Sequence, residues 1–549
     1  MNEKMQKVIA SLIFLWYLTL TNAKSTPVVT LPDGRIRGEI LDTYKQKLPF
    51  YAFLGIPYAA PPIGKNRFQP PKPVQKWSGI LIMTSNPKIC YQTGLEDALA
   101  SEDCLYLNVY SPVVPGSNAS LPVMVFIHGG TFIRGSAPSG FYGPQFIIEQ
   151  NVIVVTINYR LGPFGFLSTG DKVMPGNMGL KDQQFALKWV QQNIHLFGGD
   201  PKKVIVMGQS AGSASVTYHL ISKSSAGLFR GAIGLSGSAL NTWAHDPNAV
   251  NKTYGIAAEI DPSFSRNRTT QELMDFLQSV DGKLIHATGT NSKYSSFAPV
   301  IEVEHDGAMI TESMYMSVKE GRINRVPYLA GICSEEAILM AAKEESWEKT
   351  ASAYDKDLRK LVDPDMYITD ATILEKTSAE IKAIYTNDTL RQDIGAFTQY
   401  FGDNRYMRAP IKYAKLHSQY ADVYFYQFSY HGIMGNNNFT IDGIGRVGHA
   451  EDLRYLWSNY KSYESFPESD MRTLDRYVGL LTNFAKFLNP TPENSELFGN
   501  NIWPKVTSEH YRYLDIDRNI TIQENPRKFS YGKWEDIFEK YATKPLISF

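Results

Sequence analysis

Short runs of β-branched and apolar residues alternate with stretches of helical periodicity through the first half of the chain. That pattern predicts a parallel or mixed sheet flanked by helices. Segments 123–127 (VMVFI) and 152–157 (VIVVTI) read as buried strands. Between 180 and 196 the apolar positions Leu180, Phe185, Leu187, Trp189, Val190 and Ile194 predict a helix closed by Gly198-Gly199. A strand at 204–207, a tight turn and a helix at about 211–220 follow, with further strands at 232–235, 328–330 and 423–428. The second half is mostly helical and less regular. No internal repeat, charged linker or low-complexity block divides the chain, so one large α/β domain over residues 24–549 is expected.

Charge and composition narrow the function. The 549 residues carry 55 Lys+Arg against 55 Asp+Glu, which leaves no basic field for a nucleic acid partner. Cys90, Cys104 and Cys333 are too few for a disulfide scaffold and have no zinc-ligand spacing, so no metal site is expected. Residues 1–23 read as a signal peptide: Lys4 and Lys7 precede an apolar run at 8–20, and Thr21-Asn22-Ala23 supplies small residues for cleavage. No later stretch approaches the ~18 apolar residues of a membrane span, and the C-terminus carries no lipidation signal, so a secreted chain without a membrane anchor is expected. Acceptor triplets at Asn118, Asn251, Asn267, Asn387, Asn438 and Asn519 fit passage through a glycosylating compartment.

Gly208-Gln209-Ser210-Ala211-Gly212 lies between an apolar strand and an apolar helix, and that context predicts a nucleophile. A serine on such a sharp turn is held in a strained backbone conformation, with its hydroxyl lifted above the sheet edge. Attack on an ester carbonyl then requires donors for the oxyanion, each worth ~3–4 kcal/mol. His128-Gly129-Gly130-Thr131-Phe132 directly follows a strand and can turn the Gly130 and Thr131 N–H groups toward substrate, with Ala211 N–H completing the set. The plainer reading of this loop is a glycine-rich connector. His128 itself reads as structural.

Phe197-Gly198-Gly199-Asp200 leading into 208–212 resembles the active-serine signature of the type-B carboxylesterase/cholinesterase family, and 102–109 (EDCLYLNV) resembles its second signature. The likeness continues through Asn158-Tyr159-Arg160, 176–183 and Ser236-Gly237-Ser238 and covers essentially the whole mature chain. It implies an α/β-hydrolase fold, a serine, acid, histidine order and no cofactor. Segment 329–336 resembles the family's acid loop, with Glu336 at the catalytic place, Glu335 beside it as the one-residue alternative, and Ala337 where glycine is usual. Segment 448–453 (GHAEDL) resembles the histidine loop and nominates His449 over His219, His417 and His431. In the same family Arg67, Glu102, Arg160 and Asp182 look like buried ion-pair partners. Cys90 and Cys104 are expected to be disulfide-bonded, two free thiols being the alternative, and Cys333 to be free and buried.

The resemblance also bears on substrate. The neutral Gln209 stands where the family often has glutamate, and the 91–103 loop holds no tryptophan, so a choline ester is not expected. A neutral, apolar small-molecule ester is, with Gln209, Phe132 and Trp243 near it, although Trp243 could equally be core filler. Thr131 replaces a small residue and predicts a narrowed pocket. Gln209 and the 448–452 run resemble insect juvenile hormone esterases and their secreted carboxylesterase relatives. The alternatives are a lipase-like esterase for long acyl chains and, in another class, a catalytically silent adhesion protein of the same fold.

Overall fold

A computed structural model describes residues 24–549 apart from 95–98, 139, 292, 295, 343 and 458–464. The expected signal peptide lies outside the described residues. A large sheet organises the rest: β1 (Lys24–Ser25), β2 (Glu39–Asp42), β3 (Pro49–Pro57), β4 (Tyr106–Ser111), β5 (Leu121–Ile127), β6 (Ile153–Ile157), β7 (Gly199–Gln209), β8 (Gly231–Leu235), β9 (Tyr328–Cys333), β10 (Val423–Phe428), β11 (Arg512–Ile516) and β12 (Ile520–Glu524). In space they run β1-β2-β3-β4-β6-β5-β7-β8-β9-β10-β11-β12. From β6 to β11 every pair is parallel, while β1 to β4 and β12 are antiparallel additions.

The parallel strands are covered on both faces, which is why they read as unbroken apolar runs. Successive residues still part company: Val123, Val125 and Ile127 of β5 enter one hydrophobic cluster, Met124 and Phe126 the other. The helix after β7, Ala211–Ile221, is buried at every position and therefore shows no polar face. The expected helix near 180–196 spans Met178–Asn193 and tightens into a 3₁₀ turn before Gly198. These elements form the α/β-hydrolase architecture that the resemblance implied.

Two expected ion pairs anchor the first half. Arg160 and Asp182 meet at 2.7 Å with almost no exposure, and Arg67 meets Glu102 at 2.6 Å. A third, Lys181 to Glu302 at 2.6 Å, carries no sequence signal, because its partners lie 121 residues apart. Cys90 and Cys104 are disulfide-bonded, and Cys333 is free and buried. Among the described residues no helix is long and apolar enough to cross a membrane. All six candidate glycosylation asparagines are exposed.

Candidate active site

The site is built at the carboxyl ends of the parallel strands, where loops from different strands converge. Ser210 closes β7 with φ +56° and ψ −121°, a conformation that L-residues rarely adopt. Two backbone bonds hold it there: its N–H donates to Leu235 O at 2.8 Å, and its carbonyl accepts from Ala214 N–H at 2.9 Å. The turn is possible because the following helix packs directly on β5. A Cβ at Gly212 would sit 2.0 Å from Ile127 O, so only glycine allows that approach.

Glu336 leaves the loop after β9 and is completely buried. One carboxylate oxygen accepts Cys333 N–H at 2.8 Å, and the other lies 2.6 Å from His449 Nδ1. The backbone repeats the link, His449 N–H donating to Glu336 O at 3.2 Å. Glu335, the neighbouring alternative, turns elsewhere and accepts Gly445 N–H at 3.2 Å. The His449 ring is one-fifth exposed and packs against Tyr406, with centroids 4.3 Å apart. Its Nε2 lies 3.1 Å from Gln209 Nε2. With Nδ1–H donated to Glu336, Nε2 is an acceptor, and the Gln209 amide donates to it. Among the described residues no hydrogen bond joins the Ser210 hydroxyl to this ring.

The histidine loop is fastened from below. Asp452 Oδ2 accepts the Tyr426 and Tyr477 hydroxyls, each at 2.8 Å, so burial raises its carboxyl while the two phenols oppose the rise. Glu451 Oε2 accepts Gly448 N–H at 2.8 Å, and burial pushes its carboxyl up to about 7. Of the other named histidines, His431 stands beside the histidine loop, its Nδ1 3.9 Å from Glu451 Oε1, and the rest are buried. His219 is buried between Gln183 and Ser225 and His417 bonds Val326 O, burial holding both well below the ordinary range. His128 is buried against Tyr159 and lowered to about 4 by burial. Burial likewise raises the Cys333 thiol far above its usual range, which makes it a poor nucleophile.

On the far side of Ser210, Gly130, Thr131 and Phe132 all take positive φ: +109°, +53° and +61°. Among the described residues no acceptor takes the N–H of Gly130, Thr131 or Ala211. Thr131 and Trp243 line a cavity of about 870 Å³ whose lining does not include Ser210, Glu336 or His449. Phe132 does not reach it, against expectation: its ring is fully buried against Phe166 and Trp243, because the positive φ swings it into the core.

The sequence reading also missed the segment opposite. Asp403–Met407 forms a π-helical turn between two α-helices, a feature with no periodic signature. It presents Tyr406 to His449, and Arg405 O accepts the Trp243 indole N–H at 2.5 Å.

A model of the carboxylesterase family matches residues 25–534. The chain belongs to that family. Among its relatives, venom carboxylesterase-6 of Apis mellifera is 40% identical, the match covering 97% of this chain and 98% of that one. Juvenile hormone esterase of Tribolium castaneum is 34% identical over 86% and 85% of the two chains. The crystal structure of juvenile hormone esterase from Manduca sexta, with OTFP covalently attached, superimposes with a TM-score of 0.83 at 27% identity, covering 94% of this chain and all of that one. This carboxylesterase-family chain is accordingly a carboxylic ester hydrolase.

Proposed function

We propose that the protein is a secreted serine esterase that cleaves esters of apolar, non-cationic body through an acyl-enzyme. The observation that carries this reading is the buried Glu336 carboxylate on His449 Nδ1, with the opposite ring nitrogen turned toward the Gln209-Ser210 turn. His449 takes the Ser210 proton as Oγ attacks the carbonyl, and Glu336 fixes the tautomer and stabilises the imidazolium. For this, the Gln209 amide yields Nε2 to the hydroxyl, since hydrogen bonds in unliganded sites often tighten only around substrate. Gly130, Thr131 and Ala211 N–H groups hold the oxyanion. Collapse expels the alcohol, which takes the proton from His449. Water, deprotonated by the same nitrogen, then attacks the acyl carbonyl and releases the acid and Ser210.

The disulfide, the exposed asparagines of all six triplets and the apolar N-terminal run support secretion. The relatives named for juvenile hormone point to a terpenoid methyl ester as one candidate substrate, and the size of the cavity leaves room for such a chain. Hydrolysis of a nitrophenyl ester by the purified chain, reduced roughly 10⁴-fold or more in Ser210→Ala, is the test of mechanism. An inactive wild-type chain would return the protein to the adhesion reading. For substrate, kcat/KM on an epoxide-bearing terpenoid methyl ester is compared with simple acetates and butyrates. Values no higher for the terpenoid would leave a general esterase.

A further inference from the structure

The cavity that shares Thr131 with the proposed oxyanion loop has both apolar and charged side chains in its lining. Thr131, Trp243, Tyr354 and Tyr400 line it together with Arg359 and Lys360. Several of its charges are answered, while Asp365 is held by the Ser548 hydroxyl and raised to about 6 by burial. Lys252 Nζ lies 2.6 Å from Asp246, Arg359 Nε lies 2.7 Å from Asp357, and Asp363 is paired with the buried Arg408. Arg405 is different. It is partly buried and lines the same cavity, yet among the described residues no carboxylate or carbonyl is bonded to its guanidinium.

Its main chain, by contrast, is firmly held. The Arg405 carbonyl accepts both Asn241 Nδ2–H at 2.8 Å and Trp243 Nε1–H at 2.5 Å. The π-helical turn that carries it is pinned at its first residue, where Asp403 accepts from Arg527 Nε and from the Tyr385 hydroxyl, each at 2.8 Å. A rigid backbone thus presents a permanent cation to a cavity whose lining tyrosines, Tyr354 and Tyr400, are phenols that burial keeps neutral. A guanidinium partly withdrawn from water without a counter-ion is an incomplete arrangement, and a planar carboxylate completes it with two parallel hydrogen bonds.

We infer that Arg405 is the binding site for a carboxylate carried at the far end of the substrate, so that the preferred esters have an apolar chain with a remote anionic terminus. Half-esters of dicarboxylic acids are the simplest members of that class. The inference rests on the esterase reading for turnover, but not for binding.

Two nitrophenyl esters of equal chain length separate the terms: the half-ester of suberic acid, ending in a carboxylate, and the octanoate, ending in a methyl group. The ratio of kcat/KM, suberate over octanoate, is expected to fall roughly tenfold in Arg405→Met, mainly through KM, and to be largely kept in Arg405→Lys. In the wild-type chain the ratio should also fall as salt is added, because an ion pair in an open cavity is screened. A ratio that stays within about twofold of wild type in Arg405→Met, in protein whose melting temperature is unchanged, overturns the inference. Arg405→Gln replaces Arg405→Met if the latter does not fold. Calorimetric titration of suberate into full-length Ser210→Ala, with and without Arg405→Met, reads the site without catalysis. Binding that disappears with Arg405 supports the site, and equal binding sinks it. A wild-type chain that cleaves neither ester defeats the esterase reading alone, and the titration still decides the site.

Discussion

Gln209 bonds His449 Nε2, the nitrogen that the proposed mechanism offers to Ser210. Replacing the amide by a carboxylate in Gln209→Glu removes the donor to Nε2 and leaves an acceptor in its place. kcat/KM at neutral pH should then change severalfold. An unchanged kcat/KM would show that this contact plays no part in turnover. Thr131 offers a second test. A β-branched residue at φ +53° is strained by about 1–3 kcal/mol, and here its side chain is exposed to the cavity. Thr131→Gly should raise stability by ~1 kcal/mol and shift preference toward bulkier acyl groups. An identical acyl-chain series in the variant would dismiss the narrowing. At this scale the sequence was unevenly informative. The strained turn at Ser210 was legible because strand, glycine and helix all constrain it. Glu336 and His449 could be named only by resemblance, since nothing local marks a carboxylate that will meet an imidazole 113 residues later.

Among the elements, the histidine loop couples position to protonation. Glu451, raised to about 7 by burial, keeps its proton in the folded chain over a window in which the unfolded chain has already released it. From about pH 4.5 to 7 the folded state therefore binds more protons, and this group's contribution to stability falls as pH rises. Glu451→Gln removes the titration. Its melting temperature relative to wild type should climb through that window and level off above it. Parallel melting curves at pH 5 and pH 8 would refute the assignment. The legibility of elements follows burial. Strands β5 to β10 were readable because cover on both faces demands apolar side chains throughout. The antiparallel strands β1 to β4 and β12 and the parallel strand β11 were missed: β2 (EILD) has no fully buried residue and β12 buries only Ile520, while β3 and β4 are largely buried but carry no unbroken β-branched run. The π-helical turn escaped for the opposite reason, since one extra residue per turn breaks the period that would reveal a helix.

At the scale of the molecule, stability and catalysis share a scaffold of buried charge. Asp182 is completely buried, and burial raises its carboxyl while the bidentate Arg160 guanidinium holds it down. Arg160→Leu would strand that carboxylate and should cost ~3–5 kcal/mol, measurable as a lower denaturation midpoint at unchanged slope. A loss below ~1 kcal/mol would mean that Asp182 finds another partner or takes up a proton. Trp243 carries a different consequence. Its indole is clamped to the π-helical turn and the residue lines the cavity, so any occupant alters the polarity around this one of the chain's eight tryptophans. Emission from that ring offers an optical readout of occupancy, visible in stopped flow before any bond is broken.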